Sequence, residues 1–440
     1  MKAAAAPVFC LILSILAVPA HATNGVTAQG LSAEDRAALG SAISVRQAQL
    51  AGNDISQNSY FGWSVATSGD TAVVGAPGYY GYQGNSQAGS VYVFVKPATG
   101  WKNMIQTAEL SPSQNAALGN FFGYAVAIAD NTIFVGVPGL GQVLVYAKPA
   151  GGWQNMTETG VIQDQATPSG DGFGVSIAVD ASGDTLAVGA SSASPPDGTF
   201  AGAAYVFIKP PGGWTTTNTP NGMLTASDGE EDDGLANSIA VSGGTVVVGA
   251  AFKPVFVNYG AVYVFVKPAS GWTNMTESAK LTASTQAMNA ELGTSVSIEG
   301  DTIVSGAAGP GPVAGNAYIF VKPAGGWKSS TQTARLSANH QYEDAFGASV
   351  SLSGNMLAVG ASVANVGSTP EAGAVYLFSK PTSGWQSTSK FDYEVTDKYG
   401  EAFDGLGYAI VLNGNNLIAS APFAYDLADV GLVDVFTLEQ

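Results

Sequence analysis

From Phe61 onward the chain alternates short apolar runs with breaks rich in Gly, Asp, Asn and Pro. The runs are too short for helices and heavy in Val, Ile, Tyr and Phe, so they predict strands joined by tight turns. One pattern returns seven times. It opens with an apolar residue at Phe61, Phe122, Phe173, Leu235, Leu292, Phe346 and Leu406, usually followed by Gly and then an alternating strand such as "WSVA". In the first unit a turn follows at Ser68 to Thr71, then a β-branched strand ending in Gly-Ala-Pro at Pro77. A variable loop leads to a third strand, Gly89 to Phe94. A Lys-Pro-Ala-Thr-Gly-Trp turn ends at Trp101, and a fourth strand reaches Leu110. In that turn Pro presets φ and Gly supplies the positive φ needed to leave it.

Units roughly 50–60 residues apart, each with four strands, are the blades of a propeller. The seventh unit ends after "LVDVF" (Leu432 to Phe436) with no Lys-Pro turn and no fourth strand. The missing piece stands at the other end: Ala48 to Asp54 precedes Phe61 much as Ala108 onward precedes Phe122. The expected fold is therefore all-β, a seven-bladed β-propeller over residues 47–440. An N-terminal strand completes the seventh blade and so removes a free edge.

Composition agrees and narrows the rest. In 440 residues there are 56 Gly, 46% apolar and only 11% charged residues, which suits many short strands. The net charge of −17, from 33 acidic and 16 basic residues, argues against nucleic acid and against anionic membrane surfaces as partners. Residues 1–22 read as a signal peptide: Lys2, an apolar run from Val8 to Val18, and Ala20-His21-Ala22 as the cleavage site. The run is too short for a membrane anchor, and no membrane insertion is expected. The predicted location is the cell envelope, the cell surface or the medium. Cys10, within that run, is the single cysteine, so neither disulfides nor thiol chemistry are expected in the exported chain. Residues 23–46 form a leader, either flexible or a short helix with Ser32 as N-cap.

The pairing of Phe-Gly with Gly-Ala-Pro at this spacing resembles the FG-GAP repeats of the integrin α-subunit propeller. It is more similar still to bacterial FG-GAP proteins, with apolar-Gly-x-Ser-Val, Gly-Asp-Thr, Val-Gly-Ala-Pro and Val-Tyr-Val-Phe in order. The resemblance covers Gln47 to Gln440 and implies an extracellular interaction domain. Integrin-type blades hold Ca²⁺ in an Asp-rich loop between their first two strands. Here that connection is a short turn in every unit, such as Gly69-Asp70 or Gly300-Asp301, and cannot provide the six to eight oxygens Ca²⁺ takes. No metal or other cofactor is expected.

Loops after the second and fourth strands share one face of such a ring. They vary most in length, and variable loops on a rigid scaffold are where binding sits. This face is acidic, and "DGEEDDG" at Asp228 to Gly234 is its densest cluster; the opposite face carries Lys96, Lys148, Lys209, Lys267, Lys322 and Lys380. The candidate ligand-binding residues are Tyr79, Tyr80, Asp228, Glu230, Glu231, Asp232, Asp233, Tyr259, Tyr342 and Asp344. Further aromatics, Phe200, Phe252, Phe256 and Phe423 among them, belong to the same face. Trp101, Trp153, Trp214, Trp272, Trp327 and Trp385 recur at one blade position and are expected to be structural. Asn155-Met-Thr157 and Asn274-Met-Thr276 match the glycosylation pattern, again at one repeat position. Past residue 22 the single histidine is His340, so multi-His metal sites are excluded and no catalytic residues are assigned. The expected function is non-catalytic binding of a protein or glycan through this face. The alternatives are a polysaccharide hydrolase or lyase using carboxylates there, and a self-associating surface component.

Overall fold

The structure, a computed structural model, describes residues 44–78, 89–114, 119–164, 170–194, 200–254, 256–309, 315–338, 344–424 and 430–439. The expected signal peptide, most of the expected leader, and Tyr79, Tyr80 and Tyr342 lie outside these. Among the described residues helix is confined to one 3₁₀ turn, Pro138–Leu140; everything else regular is strand. The strands form seven small sheets, one per repeat. In blade 1 the order is Ser64–Ser68 innermost, then Thr71–Ala76, Ser90–Val95 and Ala108–Leu110 outermost. Inner strands of successive blades touch, and that of blade 7, Ile410–Asn413, touches that of blade 1. The expected seven-bladed ring is therefore closed.

Closure works as the truncated last unit implies. Ser44–Ala51 pairs antiparallel with Leu432–Glu439, from Ser44 opposite Glu439 to Leu50 opposite Val433. The strand begins at Ser44, three residues before the expected boundary at 47, because the C-terminal strand also runs on past Phe436 to meet it.

The core is not one body but seven layers, each between the facing sheets of two neighbouring blades. Alternate strand residues point to opposite faces of a sheet, so every blade feeds two layers and its strands are apolar on both sides. Val73 packs toward blade 2, for example, while Val74 packs toward blade 7. The six repeat tryptophans each join one such layer, Trp327 partly buried and the others buried. Blade 7 lacks the Lys-Pro turn, and the layer between blades 6 and 7 has no tryptophan.

Two repeat residues lock blade to blade near the axis. The Ser64 hydroxyl donates to the carbonyl of Gly123 in the next blade at 2.9 Å, and Ser176, Ser238, Ser295 and Ser349 of blades 3 to 6 each do the same to the blade that follows, whereas blade 2 has Ala125 there. This contact explains the Gly of "Val-Gly-Ala". A Cβ on Gly75 would stand 2.1 Å from the Gly123 oxygen and 2.3 Å from Ser64 Oγ. Outer edges are covered as well. Met104–Ile105 of blade 1 runs parallel to Leu50–Ala51 of blade 7, and Asn103 Oδ1 accepts the amide of Gln49. The two glycosylation-pattern asparagines serve this same latch: Asn155 accepts from Glu109 N and Asn274 from Met223 N, each at 2.9 Å.

Candidate functional site

The loop face carries a groove of about 170 Å³ between blades 3 and 4. Three loops make it. The loop after the outer strand of blade 3 (Gly222–Thr225) brings Asp228 and Glu230. The loop after the second strand of blade 4 (Thr245–Ala250) brings Lys253, Pro254 and Tyr259. The outer strand of blade 4 (Ala279–Thr282) and the loop after it bring Lys280 and Gln286. Of the candidate residues, Asp228, Glu230 and Tyr259 thus share one groove, with Asp233 directly beneath. Glu231 and Asp232 stand exposed on its rim. Asp344 is not part of this group: it is buried on the loop entering blade 6.

The acidic cluster is less open than its sequence suggests. Asp233 is buried, and its Oδ2 accepts from Lys253 Nζ at 2.6 Å and from the Glu230 amide at 2.7 Å. Asp228 accepts from Lys280 Nζ at 2.6 Å and from the Tyr263 hydroxyl at 2.8 Å, and its backbone carbonyl accepts from Lys253. Desolvation works against the Asp228 carboxylate, but the Lys280 ammonium and the Tyr263 hydroxyl outweigh it and hold its pKa below the usual value. Burial, with Asp228 beside it, drives the Tyr263 phenol well above its ordinary range. Two ammonium groups therefore neutralise two of the five carboxylates, and this network pins the loops rather than presenting an open cation site. Among the described residues no group of three or more His, Cys, Asp or Glu is placed to hold a metal.

The opposite face is also less charged than expected. Lys96, Lys209 and Lys322 reach Asp70, Asp184 and Asp301 of their own blade's first turn, at 2.7, 3.9 and 2.6 Å. The Asp of "Gly-Asp-Thr" is thus the partner of the Lys of "Lys-Pro", and the electrical contrast between the two faces is smaller than the sequence implies.

Sequence reasoning missed Lys253 and Lys280. Lys253-Pro254 offered a signal, as a Lys-Pro pair outside the Gly-Trp turn. Lys280 offered none, since an isolated charge on an outer strand is ordinary. It also missed an aromatic arc at the axis. The residue after the Phe-Gly position is Trp63, Tyr124 and Tyr408 on blades 1, 2 and 7, but Val175, Asn237, Thr294 and Ala348 elsewhere. Trp63 lies with its ring centroid 5.6 Å from that of Tyr124 and 5.0 Å from that of Tyr408; Phe423 packs on Tyr408 at 5.4 Å. Burial raises the pKa of both tyrosines. All these rings are half-buried.

Comparison with curated proteins gives no match. The FG-GAP repeat family model matches residues 45–94, 158–207, 220–265, 275–320 and 330–378. Each matched stretch runs from an outer strand or its approach into the third strand of the following blade, the same phase as the ring closure. All five contain both the locking serine and a third-strand tyrosine, as Ser64 and Tyr92 do in the first. Matching more than half of the chain, repeat after repeat, in a closed ring of seven such blades, the family model places this protein: it belongs to the FG-GAP repeat family.

Proposed function

We propose that this protein is exported and acts as a non-catalytic binding module, engaging a protein or glycan through the loop face of its ring. FG-GAP propellers are generally interaction modules and typically occur in extracellular or envelope proteins. The observation that carries the reading is the groove between blades 3 and 4. Its walls are held by the Lys253–Asp233 and Lys280–Asp228 pairs, so Tyr259, Gln286 and Glu230 are presented on a fixed frame. Preorganised loops on a rigid scaffold lower the ordering cost of association. Export is supported by residues 1–22, with their charged start, apolar run and small-x-small site. No helix among the described residues is long and apolar enough to cross a membrane.

The test is surface-immobilised protein exposed to a panel of purified oligosaccharides and envelope proteins. Saturable binding is expected, lost on Tyr259→Ala with Gln286→Ala and kept on Lys148→Glu with Lys267→Glu at the opposite face. Glycan turnover abolished by a carboxylate change would replace this reading with the hydrolase one. Binding insensitive to the groove and sensitive to the lysine face would overturn the choice of face.

A further inference from the structure

Large apolar side chains exposed to water are few among the described residues, and four of them gather on one arc of the loop face. Phe200 belongs to blade 3, Phe252 and Phe256 to blade 4, and Met288 to the loop entering blade 5. Their loops are joined edge to edge. The Asp232 amide donates to the Phe200 carbonyl at 3.1 Å, the Phe252 ring lies against Gly234, and the Asn289 amide donates to the Val257 carbonyl at 2.8 Å. The four residues therefore stand on one set of joined loops beside the groove.

Phe256 is the extreme case. It is 92% exposed and sits at φ +77°, a region bulky L residues rarely adopt. Its loop is well tethered. The amides of Val257 and Asn258 both donate to the Pro254 carbonyl, and that of Gly260 donates to the Lys253 carbonyl. Lys253 in turn is anchored from below by Asp233. The backbone so held keeps a phenyl ring in water, where it gains nothing for folding. Exposed apolar patches rimmed by polar groups mark interaction surfaces, and aromatic anchors dominate their energetics.

Charge selects the partner. Glu230, Glu231 and Asp232 stand exposed between Phe200 and Phe252, and none of the three forms an ion pair among the described residues. The neighbouring cations, Lys253 and Lys280, are taken by Asp233 and Asp228. A neutral sugar would leave these carboxylates unmatched, and an acidic segment would be repelled.

Resting on the reading of the loop face as the binding face, we propose that the arc from Phe200 to Met288 docks a protein segment that combines apolar side chains with Lys or Arg, and that Phe256 is its anchor.

The experiment measures fluorescence anisotropy of four labelled synthetic peptides of equal length: basic and apolar, basic only, apolar and uncharged, acidic and apolar. The first should bind the purified protein best. Phe256→Ala should weaken it about tenfold or more, the loss of one aromatic anchor. The triple change E230Q, E231Q and D232N should also weaken it, more at low salt than at high salt. Phe403→Ala, an exposed ring on the far side of the ring, should leave it unchanged. Both Phe changes are at exposed positions, and an unchanged melting temperature confirms folding. Absence of binding by the basic apolar peptide at millimolar concentration overturns the proposal. So does equal binding of the basic-only peptide, or a Phe256→Ala variant that binds like the wild type. A neutral oligosaccharide that binds and is lost in Phe256→Ala overturns the partner class but leaves the loop face as the binding face. A ligand lost only by changes at the lysine face overturns both.

Discussion

Gln47 donates through Nε2 to Asp434 Oδ2 at 2.9 Å, joining the strand at the start of the described chain to the strand at its end. The same amide nitrogen donates to Asp397 Oδ1, also at 2.9 Å. Five other blades carry Tyr where Asp434 stands, and blade 2 carries Leu144. The closing blade has thus replaced a core aromatic with a fully buried carboxylate.

That replacement makes ring closure sensitive to pH. Burial, then the charge of Asp397, raises the Asp434 pKa well above the usual carboxylate value, against the opposing Gln47 hydrogen bond. A group whose folded pKa is raised contributes stability that is fully present below its unfolded pKa, about 3.9, and lost as pH rises through the folded value. Asp434→Asn should therefore raise the melting temperature at pH 7 and change it little at pH 4. Calorimetry across that range checks it; a difference between the two proteins that does not vary with pH would contradict it.

Blade 7 also exchanges the two residues of the interblade lock. Ala409 stands at the serine position and Ser420 at the glycine position, and Ser420 Oγ bonds the Ala409 backbone within the blade. Ala409→Ser alone should destabilise, because in five of the other blades that hydroxyl occupies the space a Cβ at the glycine position would fill. Ala409→Ser with Ser420→Gly restores the repeat arrangement. The double variant should unfold at higher denaturant than the additive expectation, a coupling of about 0.5–3 kcal/mol.

Lys253→Met should cost about 3–5 kcal/mol, since it leaves the buried Asp233 carboxylate without its counter-charge. Adding Asp233→Asn should recover much of the loss. Denaturant midpoints of the two variants decide; equal midpoints would show that the pair does not carry the loop.

Trp153→Ala removes a buried ring from the layer between blades 1 and 2 and should cost roughly 3–5 kcal/mol. A loss under about 1 kcal/mol would mean that the layer does not depend on it and would reopen a binding role for the repeat tryptophans.

Removal of residues 23–52 takes away the strand Ser44–Ala51 and exposes the edge of Leu432–Glu439. The truncated protein should melt earlier and aggregate on heating, as unpaired edges do. An unchanged melting temperature with clear solutions would show that the ring does not need this strand.

What could be read from the chain alone is what repeats. Strand, turn and strand recur because each is decided within a few residues, by β-branched runs and by Gly, Asp and Pro at the breaks. Seven copies multiply a weak local signal into a blade count, and a truncated last copy reveals the closing strand. The tryptophans were legible for the same reason: a residue that returns in six units answers to the blade. What escaped is what departs from the repeat. The lysine partners of Asp228 and Asp233 lie 20 to 52 residues away in sequence, on the next blade, and no local pattern joins Lys280 to Asp228. Nor does composition tell a charge in water from one already paired, which is why the acidic cluster read as more open than it is. Trp63, Tyr124 and Tyr408 lie about a blade or more apart along the chain yet touch at the axis, because ring closure makes blades 7, 1 and 2 neighbours. Local sequence decided the blades; the convergence of loops from different blades, set by packing around a closed ring, decided which side chains meet.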